Sequence, residues 1–278
     1  MSLSWPNPFA SYLLVGLSRQ HIAMMQMSSV RQRILQKQHM TVAETQTEPN
    51  WKAVLAELQK ILSVSFKTKP RELRVILASD FVRYLMLPAH HSVMSASDKV
   101  DLAHAMYKEI YGGLADGWLI QCDDAAPNQI SLAVAIDKGL IEDLHTLALK
   151  HDMQLVSVQP YLMTVFNRAK SQFTAGQRYF AVVESNRLLL ASINDGHWLQ
   201  VRNFPLESEW AVQLQHVVQR EAMSNDGNNN RTLMVYAPSE KATDLPNIVG
   251  WTVRRIGIQN QPKLGQTDSR YFSMLETV

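Results

Sequence analysis

Two stretches of the sequence decide its fold: YLLVGLSRQHIAMMQM (Tyr12–Met27) and YFAVVESNRLLLASINDGHWLQVRNF (Tyr179–Phe204). In each stretch an apolar run ends in a short polar turn, and a second apolar run follows, which predicts a β-hairpin. Each hairpin continues into a further strand, and segments with helical periodicity come later. A motif repeated in this way indicates a duplicated α/β protein of two lobes rather than one continuous sheet.

The remaining periodicity predicts the other elements. For the first lobe we expect strands at 12–17, 21–27, 33–40, 72–78, 82–87, 118–122, 130–136 and 153–158, the last of them buried, and helices at 51–62, 138–151 and 161–173. A further helix capped by Ser95 or Ser97 should end at Tyr111, before Gly112 and Gly113. For the second lobe we expect strands at 179–184, 187–193, 198–204, 233–237 and 251–256, and a helix at 207–223. The expected lobes are residues 1–168 and 169–278.

Composition limits the classes of function open to the chain. The chain has 278 residues, enough for two lobes of about 100–200 residues each. Its 27 basic and 25 acidic residues are interspersed, so no basic stripe predicts a nucleic-acid surface. The single cysteine, Cys122, excludes an intrachain disulfide and favours a reducing compartment. No apolar run reaches the ~18–20 residues that span a bilayer and no signal peptide is evident, so a cytoplasmic protein is predicted.

Several phrases together resemble one family. They are VILASDFVRYLMLP (Val75–Pro88), the helix ending at Tyr111 and followed by Trp118, LVSVQPYLMTVFNRAK (Leu155–Lys170) and DGHWLQVRNFPL (Asp195–Leu206). In this order they resemble the cytoplasmic actin-like proteins of type IV pilus and type II secretion assembly, of the PilM and GspL type. The resemblance implies an actin-like (ribonuclease H-like) α/β fold, two lobes each with a mixed sheet flanked by helices. It also implies a scaffold that lies under the inner membrane.

The turn of each hairpin is where nucleotide-binding members of this family hold phosphate. Such a turn needs an acidic residue and glycines that let backbone N–H groups approach the phosphates. The first turn instead has Gly16, Ser18 and Arg19, and the second has Glu184 and Asn186. We therefore expect a degenerate nucleotide site, no ATP hydrolysis and no required cofactor. Since Ser18 and Arg19 can contact phosphate, ATP with magnesium as a structural switch stays open as the alternative.

Other residue types that carry chemistry have ordinary structural explanations. A nuclease of the related ribonuclease H-like fold needs a carboxylate on its first strand, and this strand has none. Aspartates at element ends are expected to cap helices or turns, and adjacent histidines lack zinc-site spacing. The residues in question are Asp80, Asp123, Asp124, Asp137, His90, His91 and Cys122. An enzyme whose site leaves no sequence signature stays a third alternative.

A scaffold must offer a surface to a partner. In the pilus-type relatives, the resemblance implies, the cytoplasmic tail of a single-pass inner-membrane protein docks beside the first lobe. The segment Val75–His91 is the predicted contact, with Arg83 and Tyr84 as candidate binding residues. An internal ion pair of Arg83 within a core strand is the competing interpretation. An assembly ATPase is a second possible partner, and the protein would be cytoplasmic and peripheral to the inner membrane through these contacts.

Overall fold

Two five-stranded mixed sheets with the same strand order form the framework. The computed structural model describes residues 11–29, 33–43, 51–63, 66, 68–173, 176–224, 231–238, 245–258 and 271–277. By its contacts the chain divides into two compact units. The first unit comprises Met1–Phe81, Asp137–Thr164 and Asn260–Val278, and the second comprises Val82–Ile136 and Val165–Gln259. The expected boundary between residues 168 and 169 stays a prediction.

The first sheet begins with the predicted hairpin. Its order is β3-β2-β1-β4-β8, formed by β1 (Ser11–Leu17), β2 (His21–Ser28), β3 (Ile34–Thr41), β4 (Glu72–Leu77) and β8 (Gln154–Pro160). β1 and β2 run antiparallel, as do β2 and β3, whereas β4 is parallel to both β1 and β8. Every residue of the central strand β1 is buried. The helices α1 (Trp51–Leu62) and α3 (Lys138–Lys150) pack against each other in this unit.

The second sheet repeats this topology. Its order is β11-β10-β9-β12-β13, formed by β9 (Gln177–Val183), β10 (Arg187–Asn194), β11 (His197–Pro205), β12 (Arg231–Tyr236) and β13 (Trp251–Arg255). The first three strands are antiparallel neighbours, and β12 is parallel to β9 and β13. The helix α5 (Trp210–Ser224) places Trp210, Leu214 and Val218 against apolar residues of these strands. The prediction of two separate mixed sheets is confirmed.

A third sheet of three strands belongs to the second unit. Its order is β5-β7-β6, with β5 (Val82–Leu87), β6 (Trp118–Cys122) and β7 (Ser131–Asp137). The helix α2 (Ala96–Tyr111) covers one face and continues as a 3-10 helix, Gly112–Gly117. Ser95, one of the two residues predicted as the cap, is the N-cap of α2 and forms a capping box with Asp98. The sequence predicted these strands but did not separate them into a sheet of their own.

One prediction about burial is wrong. The strand expected at 153–158 was to be buried, but β8 lies at the edge of the first sheet, where its residues alternate between exposed and half-buried. The register with β4 shifts there, from Leu73 opposite Leu155 to Arg74 opposite Ser157, which leaves Val156 as a bulge. An apolar run predicts a strand, but its position in the sheet decides how many of its faces are covered. The helix α4 (Tyr161–Ala169) follows directly, and the division between the two units falls within it, after Thr164.

Among the helices in the described ranges of the chain, none combines the length and the apolar character needed to span a bilayer.

Candidate functional site

The first hairpin turn is closed by its own hydrogen bonds. The Ser18 backbone N–H donates to the His21 carbonyl at 2.9 Å, and the His21 N–H donates to Ser18 Oγ at 2.9 Å. Ser18 is therefore buried, and its hydroxyl is used within the turn. A phosphate loop keeps its N–H groups directed at the ligand. In this turn the Ser18 N–H already has a protein acceptor.

A carboxylate reaches the same turn from the neighbouring strand. Asp80, just beyond the end of β4, is 2% exposed, and its Oδ2 lies 3.5 Å from the Arg19 backbone nitrogen, which donates to it. Because β1 and β4 are parallel neighbours, their carboxyl ends meet at one edge of the sheet, where ligands of open α/β sheets commonly bind. Sequence reasoning treated Asp80 as a loop aspartate and missed this position. The only signal in the sequence for this position was that Asp80 follows a strand whose end lies beside the end of β1.

Residues 271–277, which we call the C-terminal segment, cover Gly16. A Cβ at Gly16 would lie 3.2 Å from Leu275 Cδ2 and 3.3 Å from Met274 Cβ. The segment is fixed at both ends. Tyr271 stacks on His39 of β3 with ring centroids 3.9 Å apart, and Thr277 Oγ1 donates to Thr164 Oγ1 at 2.9 Å.

The second hairpin turn is closed in the same way as the first. The Glu184 N–H donates to the Arg187 carbonyl at 2.8 Å across the two-residue turn Ser185-Asn186. The Asn186 carbonyl accepts the Leu206 N–H at 2.9 Å, and Glu184 is buried. The structure thus places Gly16 near the end of β1 and Ser18 and Arg19 in the turn that follows, and it places Glu184 and Asn186 in the other turn.

The two candidate partner-binding residues lie on opposite faces of β5. Leu85 and Leu87 join the apolar cluster under α2, and Arg83 shares their side because alternate residues of a strand share a face. Arg83 is half-buried, and its Nη1 donates to the Val82 carbonyl at 3.2 Å. Tyr84, also half-buried, lies on the face turned away from α2. The two side chains therefore cannot contact one small group together.

That outer face of the third sheet is apolar and partly open. Tyr84 and Met86 of β5 lie opposite Val134 and Leu132 of β7, and of these four only Leu132 is buried. At the end of β5 a pocket of about 290 Å³ opens between the loops 88–94 and 123–129. Its apolar lining includes Pro88, Val93, Met94, Leu102 and Pro127, with Lys99 among the polar residues. The two loops are joined at Asn128, whose N–H donates to the His90 carbonyl at 2.7 Å.

Several of the other chemistry-bearing residues have structural partners. Asp137 caps α3 by accepting the Gly139 N–H at 2.8 Å, and the Asp123 carboxylate accepts the Leu132 N–H at 3.1 Å. His91 Nδ1 is hydrogen-bonded to Asn128 Oδ1 at 2.7 Å. Burial raises the pKa of the Cys122 thiol, so it is a poor nucleophile at neutral pH. The interpretation of Asp123 and Asp137 as turn and helix caps fits these contacts.

Tyr107 of α2 is the most deeply buried tyrosine in the third sheet and its covering helix. The Tyr107 hydroxyl lies 3.0 Å from the carbonyl oxygens of both Arg83 and Ala133, which share its single proton, and it joins α2 to β5 and β7. Burial raises the pKa of this phenol above its ordinary range.

Comparison with known proteins was made by sequence and by structure. The sequence matches no protein-family model, and a search of curated proteins finds no match either. Among solved structures, a Bacteroides thetaiotaomicron protein of unknown function with the actin-like ATPase fold has a TM-score of 0.57 at 12% identity, over 85% of this chain and 84% of the other. The cytoplasmic domain of EpsL, an inner-membrane component of the Vibrio cholerae type II secretion system, has 0.55 at 12% identity, over 97% and 96%.

A third solved structure also resembles this chain. The PilM–PilN type IV pilus biogenesis complex contains a chain that matches with a TM-score of 0.54 at 10% identity, over 82% of each chain. The predicted resemblance is confirmed at the level of the fold. The chain has the actin-like fold, which it shares with EpsL of a type II secretion system and with the PilM–PilN pilus complex.

Proposed function

We propose that the chain is a non-catalytic protein-interaction scaffold of a type IV pilus or type II secretion-like assembly platform. The observation that carries the proposal is the first turn of the fold. Its Ser18 and Arg19 N–H groups already have protein acceptors, and residues 274 and 275 lie against Gly16. The chain keeps the actin-like fold, but the N–H groups of the turn that usually binds phosphate are hydrogen-bonded within the protein. The surfaces of the protein are then left to carry the function.

The partner is the cytoplasmic tail of a single-pass inner-membrane protein. EpsL is described as an inner-membrane component, and PilM is found in complex with PilN. A tail of this kind is disordered alone and binds by gaining order on a rigid surface. The outer face of the third sheet, with Tyr84 and Met86, offers such a surface, and the 290 Å³ pocket at the end of β5 offers another on the side of α2. An assembly ATPase is a further partner of the same platform.

Affinity capture tests this proposal. The full chain is immobilised and exposed to the detergent-solubilised membrane fraction of the source cell, and captured proteins are identified by mass spectrometry. The wild type should capture a single-pass protein with a short cytoplasmic tail. Tyr84→Ser should reduce that capture at least fivefold, whereas Val249→Ser, at a site 90% exposed, should leave it unchanged.

Arg83→Ala separates the two interpretations of Arg83. If Arg83 contacts the partner, the variant stays folded and loses capture. If its role is structural, capture is unchanged or the third sheet unfolds. The scaffold proposal itself fails if no single-pass protein is enriched by the wild type over an unrelated immobilised protein.

A nucleotide-binding protein that uses ATP as a structural switch is the second candidate. One observation favours it, namely the buried Asp80 carboxylate beside the first turn, because a carboxylate at this edge is suited to a magnesium-bound water. Calorimetry with ATP and magnesium distinguishes the candidates. The scaffold predicts at most millimolar binding and no turnover. Micromolar binding that Asp80→Asn removes would favour the switch.

A further inference from the structure

The outer side of β6 (Trp118–Cys122), which we call the β6 edge, differs from the other sheet edges. Edge strands usually carry a charge, a proline or a bulge that prevents another strand from pairing with them. Among the described strands, five edges have such a feature. They are Lys37 in β3, the Val156 bulge in β8, Arg83 in β5, Arg202 and Pro205 in β11, and Arg254 and Arg255 in β13. The β6 edge, with the sequence WLIQC, has none.

Exposed apolar side chains lie on β6 and in the segment that precedes it. Leu119 of β6 is 44% exposed, and Leu114 in the preceding 3-10 helix is 71% exposed. Ile110 and Tyr111, at the end of α2, are 59% and 38% exposed. Ile120 is buried on the other face, under α2, so β6 itself is held firmly. An uncharged edge next to exposed apolar residues is the arrangement that favours strand addition.

Charges at the two ends of the edge indicate the chemistry of the added strand. Glu109 and Asp116 precede β6, and Asp123 and Asp124 follow it directly. Asp116 is paired with Lys108 and His104, at 3.0 and 3.1 Å, and the Asp123 carboxylate accepts the Leu132 N–H. Lys99 donates to the Ala125 carbonyl at 2.7 Å. Glu109 before β6 and Asp124 after it are exposed, and these two carboxylates complement a basic segment. Cytoplasmic segments next to inner-membrane spans are enriched in Lys and Arg.

We propose that the β6 edge binds an extended segment of the membrane partner as an added strand, with apolar residues alternating along it and Lys or Arg at both ends. This inference rests on the proposed function for the source of the segment. Main-chain hydrogen bonds to β6 supply affinity, and Leu119 and Leu114 receive the apolar side chains. The strand has five residues, a length of roughly 17 Å, so the occupant is short.

The probe is a set of synthetic fluorescent peptides measured by anisotropy against the full chain. The first peptide has an alternating valine and threonine core between pairs of lysines. The second has glutamates in place of the lysines, and the third has a proline at the centre of the core, which removes a ladder hydrogen bond. The lysine peptide should bind at least tenfold more tightly than the other two. Equal affinities of the three peptides would overturn the proposal.

Two variants of the chain locate the binding. Leu119→Lys adds the missing edge charge at an exposed position and should weaken binding of the lysine peptide at least tenfold. Val249→Lys adds the same charge at another exposed apolar position and should change the affinity less than twofold. Circular dichroism verifies that both are folded. Equal weakening by both variants, or none by Leu119→Lys, contradicts the proposal.

Two further measurements separate the other occupants and the proposed function. Sedimentation that finds a wild-type dimer dissociated by Leu119→Lys would mean that a second copy covers the edge, and would overturn the proposal. In the capture experiment, full retention of the membrane protein by Leu119→Lys would overturn the edge proposal and leave the scaffold standing. Peptide binding of the expected pattern without any captured membrane protein would support the edge and contradict the proposed function.

Discussion

The contact between Gly16 and the C-terminal segment can be tested by adding one methyl group. In Gly16→Ala the new Cβ would lie 3.2 Å from Leu275 Cδ2 and 3.3 Å from Met274 Cβ, closer than ordinary van der Waals contact. Both neighbours must shift by a few tenths of an ångström, and Met274 Cβ is the less able to move because it is attached to the backbone. Overpacking of this kind costs about 1–3 kcal/mol.

An opposing effect comes from the unfolded state. Replacing glycine by alanine reduces the entropy of the unfolded chain and stabilises a protein by about 0.4–1 kcal/mol where the backbone allows it. The expected net result is a fall of up to about 2.6 kcal/mol in the free energy of unfolding, measured by urea denaturation. Gly117→Ala is the matched control, because a Cβ there meets no heavy atom within 4 Å. This control should be neutral or slightly stabilising.

A double-mutant cycle identifies the contact itself. Leu275 is fully buried, so Leu275→Ala alone should cost about 2–5 kcal/mol. In the Gly16→Ala background the shortened side chain relieves part of the clash, and the two costs should fall short of additivity by about 1 kcal/mol. If Gly16→Ala matches Gly117→Ala in stability, or if the two costs add fully, the C-terminal segment does not press on Gly16 and the reasoning is wrong.

Two other predictions concern stability. Tyr107→Phe removes the hydroxyl whose single proton the Arg83 and Ala133 carbonyls share, and unfolding by urea should detect a loss of about 1–3 kcal/mol. Asp152→Asn tests an acid-dependent contribution: Lys69 Nζ lies 2.6 Å from the carboxylate and lowers the pKa of Asp152 below 3.8. A lowered folded-state pKa contributes stability above the unfolded value, so wild type and variant should differ at neutral pH and converge as the pH falls below 3.8. A difference that does not shrink as the pH falls would contradict the assignment.

Local periodicity predicted most of the strands and helices. The predicted helix at 51–62 coincides with α1, and the predicted strand at 82–87 with β5. Both segments carry their signal within a few residues, as apolar positions at helical spacing or as a run ended by Pro88. Ser95 at the start of α2 is another local signal, because a cap acts on the next turn only.

Non-local arrangements could not be predicted in this way. The position of Asp80 at the first turn depends on β4 pairing parallel to β1, which no residue of either strand encodes alone. The same holds for the C-terminal segment, because Leu275 contacts Gly16 although most of the sequence separates the two residues. The sequence assigned Arg83 and Tyr84 to a strand. Which of them faces α2 became clear only from the structure, where α2 covers one face of the sheet.

The C-terminal segment also bears on the choice between scaffold and nucleotide switch. A nucleotide that used Gly16 for close approach to its phosphates would have to displace residues 274 and 275. Exposing the buried Leu275 and losing the Tyr161 hydrogen bond to the Ser273 carbonyl would cost about 2–4 kcal/mol. That cost lowers the affinity for ATP roughly 30- to 900-fold. Asp80 alone does not offset it, because its carboxylate is already hydrogen-bonded to the Arg19 N–H and would repel the phosphates unless magnesium were present. The contact of the C-terminal segment with Gly16 therefore favours the scaffold, which binds partners through its surface. A nucleotide switch would require the segment to leave before ATP could bind.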